Sequence, residues 1–265
     1  MQSRNPVFRK QRVTAHGAWN VPPPSPEQLH YMYNAPSYAP PTAPPTARPM
    51  TIDDVVVRGF ITLGTLVVSA AAAWALNLGW GFAALGAIAG LVLALIISFR
   101  QSTNPALILG YSVAYGVTVG VVSHGFNNLY NGIVFQAVVG TALAFGAMLA
   151  VHSLRIIRVT PKFTRFVIAA GIALMGLMVV NWLASFFIED GIGIRSGGPL
   201  SFIFSIAAIL VGCFFLLLDF NDIEQGVAAG IPDRYAWLMA FGLTVTLVWI
   251  YLEVLRFLSY FSNSD

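Results

Sequence analysis

Residues Phe166 to Ile188 read FVIAAGIALMGLMVVNWLASFFI, a stretch without a single charge. Lys162 and Arg165 stand before it, and Glu189 and Asp190 follow it. About 18 or more consecutive apolar residues are enough to cross the hydrocarbon of a bilayer as a helix. A helix buried in a soluble core is usually shorter and keeps a polar stripe. This run therefore reads as a membrane span.

Six further runs of similar length flank it, at about residues 59–78, 79–99, 105–123, 132–151, 199–218 and 235–259. Only the last takes up charge, at Glu253 and Arg256. A tight turn near Asn77-Leu78-Gly79 divides the first two runs, since about 40 apolar residues in one helix would exceed any bilayer. The expected fold is all-α: a polytopic membrane protein, a seven-helix transmembrane bundle over residues 51–265. Composition agrees, with 57% hydrophobic and 9% charged residues, where a soluble domain carries about 25% charge.

Residues 1–50 differ. Pro22-Pro23-Pro24, Pro26, Pro36, Pro40-Pro41, Pro44-Pro45 and Pro49 alternate with Tyr31, Tyr33 and Tyr38. Proline removes backbone donors and favours extended chain. With few aliphatic residues, the segment is expected to be a disordered cytoplasmic tail. A ligand for an SH3- or WW-type module is the other reading. The tail lacks the apolar core of a cleavable signal, so the first run is expected to act as an uncleaved anchor.

Lys and Arg positions set the expected orientation. Arg4, Arg9, Lys10, Arg12, Arg48 and Arg58 precede the first run, Arg100 follows the second, and Arg155, Arg158, Lys162 and Arg165 follow the fourth. Arg234 follows the sixth. The amino terminus is expected in the cytoplasm, in a plasma-membrane protein whose seventh span ends outside. Arg256 departs from that pattern.

Ionisable residues at membrane depth are costly and so are functional candidates. They are Arg100, Asp219, Asp222, Glu224, Glu253 and Arg256. Runs two and six travel in the same direction and end at Arg100 and Asp219, which places the two at similar depth. They read either as a pair or as separate interfacial residues. Glu253 and Arg256 are three apart, close enough to pair on one helix face. Gly86 with Gly90, and Gly116 with Gly120, have the spacing that lets membrane helices approach closely.

Enzyme chemistry finds no support. Cys213 is the single cysteine, so a disulfide within the chain and a thiolate metal cluster are both excluded. His124 and His152 stand alone, and no metal site is expected. No HExxH, GxSxG or phosphate-binding glycine loop occurs. No cofactor and no nucleic-acid partner is expected; the lipid bilayer is the expected surrounding.

The segment Leu218-Asp219-Phe220-Asn221-Asp222-Ile223, the closing Leu255-Arg256-Phe257-Leu258 and the order of the runs resemble the transmembrane Bax inhibitor motif family (Bax-inhibitor / YccA-like). Ile156 to Arg165 looks like an actinobacterial-type branch. The resemblance covers roughly residues 51–262. It implies seven helices around a central last one, and a calcium leak that responds to pH. It also implies an aspartate pair sharing a proton, with an arginine latching the closed form. Two such close carboxylates titrate as a coupled pair.

By that resemblance Asp219 is the first aspartate and Arg100 the latch. The second aspartate position falls on Thr246, with Asp222 and Glu253 also along the implied pathway. A shifted register would place Glu253 there instead. Tyr115 stands where many relatives carry an acidic residue. A threonine cannot share a titrating proton, and both departures remove negative charge. The resemblance also leaves a second reading, a regulator of stress responses or of a membrane protease with a membrane-protein partner. A third, an aspartyl protease or transporter, needs a second carboxylate facing Asp219.

Overall fold

A computed structural model describes residues 25–27, 30, 48–189 and 191–262. The reading of residues 1–50 as a disordered tail lies almost wholly outside them. Ala47–Asp265 forms a compact unit of its own.

Among the described residues, seven helices are long and apolar enough to cross a membrane. They are α1 (Ile52–Ala75), α2 (Trp80–Arg100), α3 (Pro105–Leu129), α4 (Ile133–Ser153), α5 (Pro161–Ala184), α6 (Pro199–Ala228) and α7 (Ala236–Ser262). With 21 to 30 residues in each span, they measure about 30–45 Å at 1.5 Å per residue. Large apolar side chains such as Phe60, Phe99, Phe135 and Phe187 stay exposed, as a lipid-facing surface requires.

Local chemistry sets the ends. α1 begins seven residues before its apolar run, because Thr51 and Asp54 form a capping box. Asp54 N–H donates to Thr51 Oγ1 at 3.3 Å, and Thr51 N–H donates to Asp54 Oδ2 at 2.9 Å. Such a cap satisfies amides that the first turn leaves orphaned. Asn104 before Pro105, and Thr160 before Pro161, start α3 and α5 in the same economical way. Asn77, at φ 54°, makes the left-handed turn of the α1–α2 hairpin. α6 continues to Ala228, well past the apolar run that ends at Leu218. Asp219 therefore sits inside a helix, not at its end.

The face where α1 begins is termed the near face, and the opposite one the far face. α7 is central: it packs against α6, α1, α4 and α3. α2 packs on α3, and α5 on α6, at the periphery. Glycines permit the closest crossings. A Cβ on Gly120 would lie 2.2 Å from Ala70 O, and one on Gly116 would lie 2.6 Å from Leu66 O, so α1 and α3 meet backbone to backbone. A Cβ on Gly86 would lie 2.5 Å from Ala114 O, which brings α2 equally close to α3. In lipid such contact supplies dispersion and weak polar bonds in place of the hydrophobic effect.

At the near face the chain before α1 is pinned to the α6–α7 connection. Met50 N–H donates to Ile231 O at 2.8 Å, and Asp233 N–H donates to Arg48 O at 2.9 Å. Met50 is buried with Val55, Ile223 and Ala236. Arg58 pairs with Asp233 at 3.1 Å and also donates to its carbonyl. Packing thus includes residues 48–50, before the boundary at residue 51 that composition suggests.

Candidate functional site

Two lines of polar groups follow α7 through the bundle, Thr244 with Tyr251 on one face and Thr246 with Glu253 on the other. Each group meets a different element. Thr244 lies 3.0 Å from Thr62 of α1, hydroxyl to hydroxyl, and both residues are buried. Thr246 Oγ1 donates to Asp219 Oδ2 of α6 at 2.7 Å. Tyr251 OH lies 2.7 Å from Ser123 Oγ of α3. Glu253 receives two bonds from Arg195 in the α5–α6 loop, at 2.8 and 3.4 Å.

Asp219 is the most exacting of these. It is partly buried, with Leu216, Leu217, Leu218 and Phe220 buried around it on α6. Gly242 leaves it room, since a Cβ there would lie 3.5 Å from Asp219 Oδ1. Among the described residues it has no cation as partner; its hydrogen bond comes from a neutral hydroxyl. Asp222, one turn further and exposed, adds a like charge within reach. A carboxylate at the centre of a membrane helix costs about 2.5–3.5 kcal/mol on insertion scales, an upper bound for one nearer the helix end. A single hydroxyl bond to a charged group offsets about 1.5–3 kcal/mol of such a cost.

Of the two registers open for the second aspartate position, the one placing Thr246 there meets Asp219. Glu253 is two turns away along α7, about 10 Å. Its partner is Arg195, not the pairing with Arg256 that spacing suggests. Arg256 remains within electrostatic reach of Glu253 and Arg195. The reason is the loop: Arg195 comes from a connection that folds back over the bundle, 58 residues away in sequence. Glu253 is only 4% exposed, so its side chain is buried within the protein.

The expected pairing of Arg100 with Asp219 is absent from this structure. Arg100 is exposed at the last residue of α2, and among the described residues neither an ion pair nor a hydrogen bond joins it to Asp219. The shared depth is nearly right. Ile97 of α2 clusters with Phe241, the neighbour of the Gly242 that faces Asp219. Arg100 lies only about 4.5 Å beyond Ile97 along its helix. Direction around the bundle is what separates the two, because α2 packs on α3 while Asp219 faces α7.

The remaining candidates are also placed. Tyr115 stacks on Tyr111 with ring centres 5.5 Å apart and fits against Gly90. Glu224 meets His152 at 3.2 Å and Arg155 at 3.3 Å, on the near face. Residues that the sequence did not single out are Thr62, Ser123, Arg195, Thr244 and Tyr251. Hydroxyls are too common in membrane helices to signal a site. Arg195 stands alone in a loop that also holds Glu189 and Asp190, and nothing in that composition signals a partner on α7. Among the described residues, no three His, Cys, Asp or Glu side chains gather as a metal site.

Six apolar helices about a central seventh, with a carboxylate–hydroxyl pair, define a multi-pass α-helical membrane protein. The chain belongs to the Bax inhibitor 1 like family, whose model matches residues 5–263. The match reaches well into the segment before α1, beyond the roughly 51–262 that the motifs cover. No curated protein matches the chain.

Proposed function

We propose that this protein is a cation leak, with calcium as its ion, and that Asp219 is the charged point on its path. The observation that supports this is the carboxylate itself. It is partly buried in the bundle, faces the central helix, and among the described residues is held by one hydroxyl and no basic group. An ionisable residue retained at membrane depth is by default a functional candidate, and ion and proton pathways are among the roles such residues take. Family membership points the same way.

The leak responds to pH through this one carboxylate, since Thr246 takes no proton. Arg100, exposed near the same depth, reaches Asp219 only if α2 moves relative to α7; in this reading it acts after such a movement and not in the resting state. The near face is cytoplasmic, and the membrane is the plasma membrane. Arg48, Arg58, Arg100, Arg155, Arg158, Lys162, Arg165 and Arg234 all lie toward that face, as cytoplasmic surfaces favour.

Purified protein in vesicles holding a calcium dye tests the reading. Calcium entry above that of empty vesicles, reduced by Asp219→Asn, is expected. Entry no different from empty vesicles, or unaltered by Asp219→Asn, would contradict it.

A further inference from the structure

The far end of α7 holds a second carboxylate, and its setting is unlike that of Asp219. Glu253 follows Thr246 by two turns on nearly the same face of the helix. A cation passing Asp219 and continuing along α7 would meet Glu253 about 10 Å further on. That position is filled by the guanidinium of Arg195.

The loop that carries Arg195 is built to hold it there. Gly191, Gly193 and Gly197 take left-handed φ values of 64°, 83° and 87°, a backbone that other residues rarely adopt. Asn181 at the end of α5 accepts from Ile192 N–H at 3.0 Å. Ser201 at the start of α6 donates to Gly193 O and accepts from Gly197 N–H, both at 3.0 Å. Ile194 is buried among Leu174, Phe204, Ala208 and Val211. Beside it, Arg195 spans the ring of Phe204 at 5.1 Å and reaches Glu253 with two donors. A greasy anchor and a cationic tip thus enter the bundle side by side.

We propose that Glu253 is the far-end cation station of this leak and that Arg195 is its tethered occupant. Calcium and the guanidinium compete for the same two carboxylate oxygens. Calcium takes six to eight oxygen ligands. One carboxylate supplies at most two, so water completes the shell and the station binds weakly, as a site that ions must leave requires. With Arg195 seated, the far end is closed to cations. With the loop lifted, Glu253 loses both of its Arg195 bonds, keeps only Arg256 within electrostatic reach, and can take a cation. The inference rests on the leak reading for its flux consequence, though calcium binding at Glu253 is measurable without it.

The test uses the full chain, in detergent and in vesicles. Arg195→Gln empties the station; the Arg195→Gln/Glu253→Gln double variant removes it. In detergent, calcium chloride is expected to raise the melting temperature of Arg195→Gln, and to leave both the wild type and the double variant unmoved. In vesicles, Arg195→Gln is expected to leak calcium severalfold faster than wild type, with the gain lost in the double variant. Arg195→Lys, which keeps a cation in place, should behave as wild type does. Equal calcium responses in Arg195→Gln and the double variant would overturn the station, even where Asp219→Asn still lowers flux. The opposite pattern, a calcium shift specific to Glu253 with no flux from any variant, would retain the station and remove the leak reading.

Discussion

Two carboxylates lie along one face of the central helix, and they are stabilised by opposite means. Asp219, toward the near face, is held by the Thr246 hydroxyl and has no basic partner among the described residues. Glu253, toward the far face, is buried and doubly bonded by Arg195. A buried ion pair is expensive to assemble, but more expensive to break on one side only, because the remaining charge is then buried alone. A carboxylate with only a hydroxyl has far less to lose. The first arrangement suits a group that changes its charge or its ligand; the second suits a seal.

The largest effect should come from breaking the seal on one side. Arg195→Leu leaves Glu253 uncompensated and should cost about 3–5 kcal/mol, read as a marked fall in melting temperature in detergent. Adding Glu253→Gln should restore much of that loss. If the single and double variants melt together, the pair is not what holds the far end.

Asp219→Asn comes next in effect, on flux more than on fold. It keeps the side-chain volume and a hydrogen bond to Thr246 while removing the charge. Stability should change by no more than about 1 kcal/mol in either direction. Calcium entry should fall severalfold. A large loss of stability without a change in flux would make Asp219 structural and erase the contrast with Glu253.

Thr246→Val removes the hydroxyl and leaves the carboxylate without its bond, at a cost of about 1–3 kcal/mol. Thr246→Asp sharpens the contrast differently. It places a second carboxylate against the first, so the two must share protons and titrate as a coupled pair. Its calcium entry should depend on pH over a wider range than that of the wild type. Identical pH profiles would mean that position 246 does not face the path.

Arg100→Gln should have the smallest effect. An exposed side chain outside any pair usually changes stability by less than about 0.5 kcal/mol. Resting calcium entry should match wild type. A leak opened wide by Arg100→Gln would show that this arginine already restrains Asp219 in the closed protein, despite their separation here.

How much of this was legible follows from the physics of each feature. Runs such as Phe166 to Ile188 announce helices because lipid tolerates no unsatisfied backbone. The helix starts were less plain: α1 begins at Ile52 on the strength of Thr51 and Asp54, not of apolarity. Gly86, Gly116 and Gly120 marked close crossings by spacing, and the backbones do meet there. Depth was legible as well, since helix direction and residue count set it; Arg100 does end near the level of Asp219. Angular position was not. No hydrophobic stripe separates the α7-facing side of α2 from the lipid-facing side when both are apolar. Long-range partners were hidden for the same reason. Nothing near Arg195 in sequence indicates that its loop dips to meet Glu253, whereas Arg256 lies three residues away and looks the better match. Motif register carried Thr246 to Asp219, because it counts residues along α7 and needs no knowledge of neighbours.

The central claim is that a single carboxylate, Asp219, is the charged point of the path. The most direct measurement is calcium entry into vesicles across a pH series, for the wild type and Asp219→Asn side by side. The expected result is a wild-type rate that changes with pH, and an Asp219→Asn rate that is lower and flat. Two profiles of the same height and shape would contradict the account.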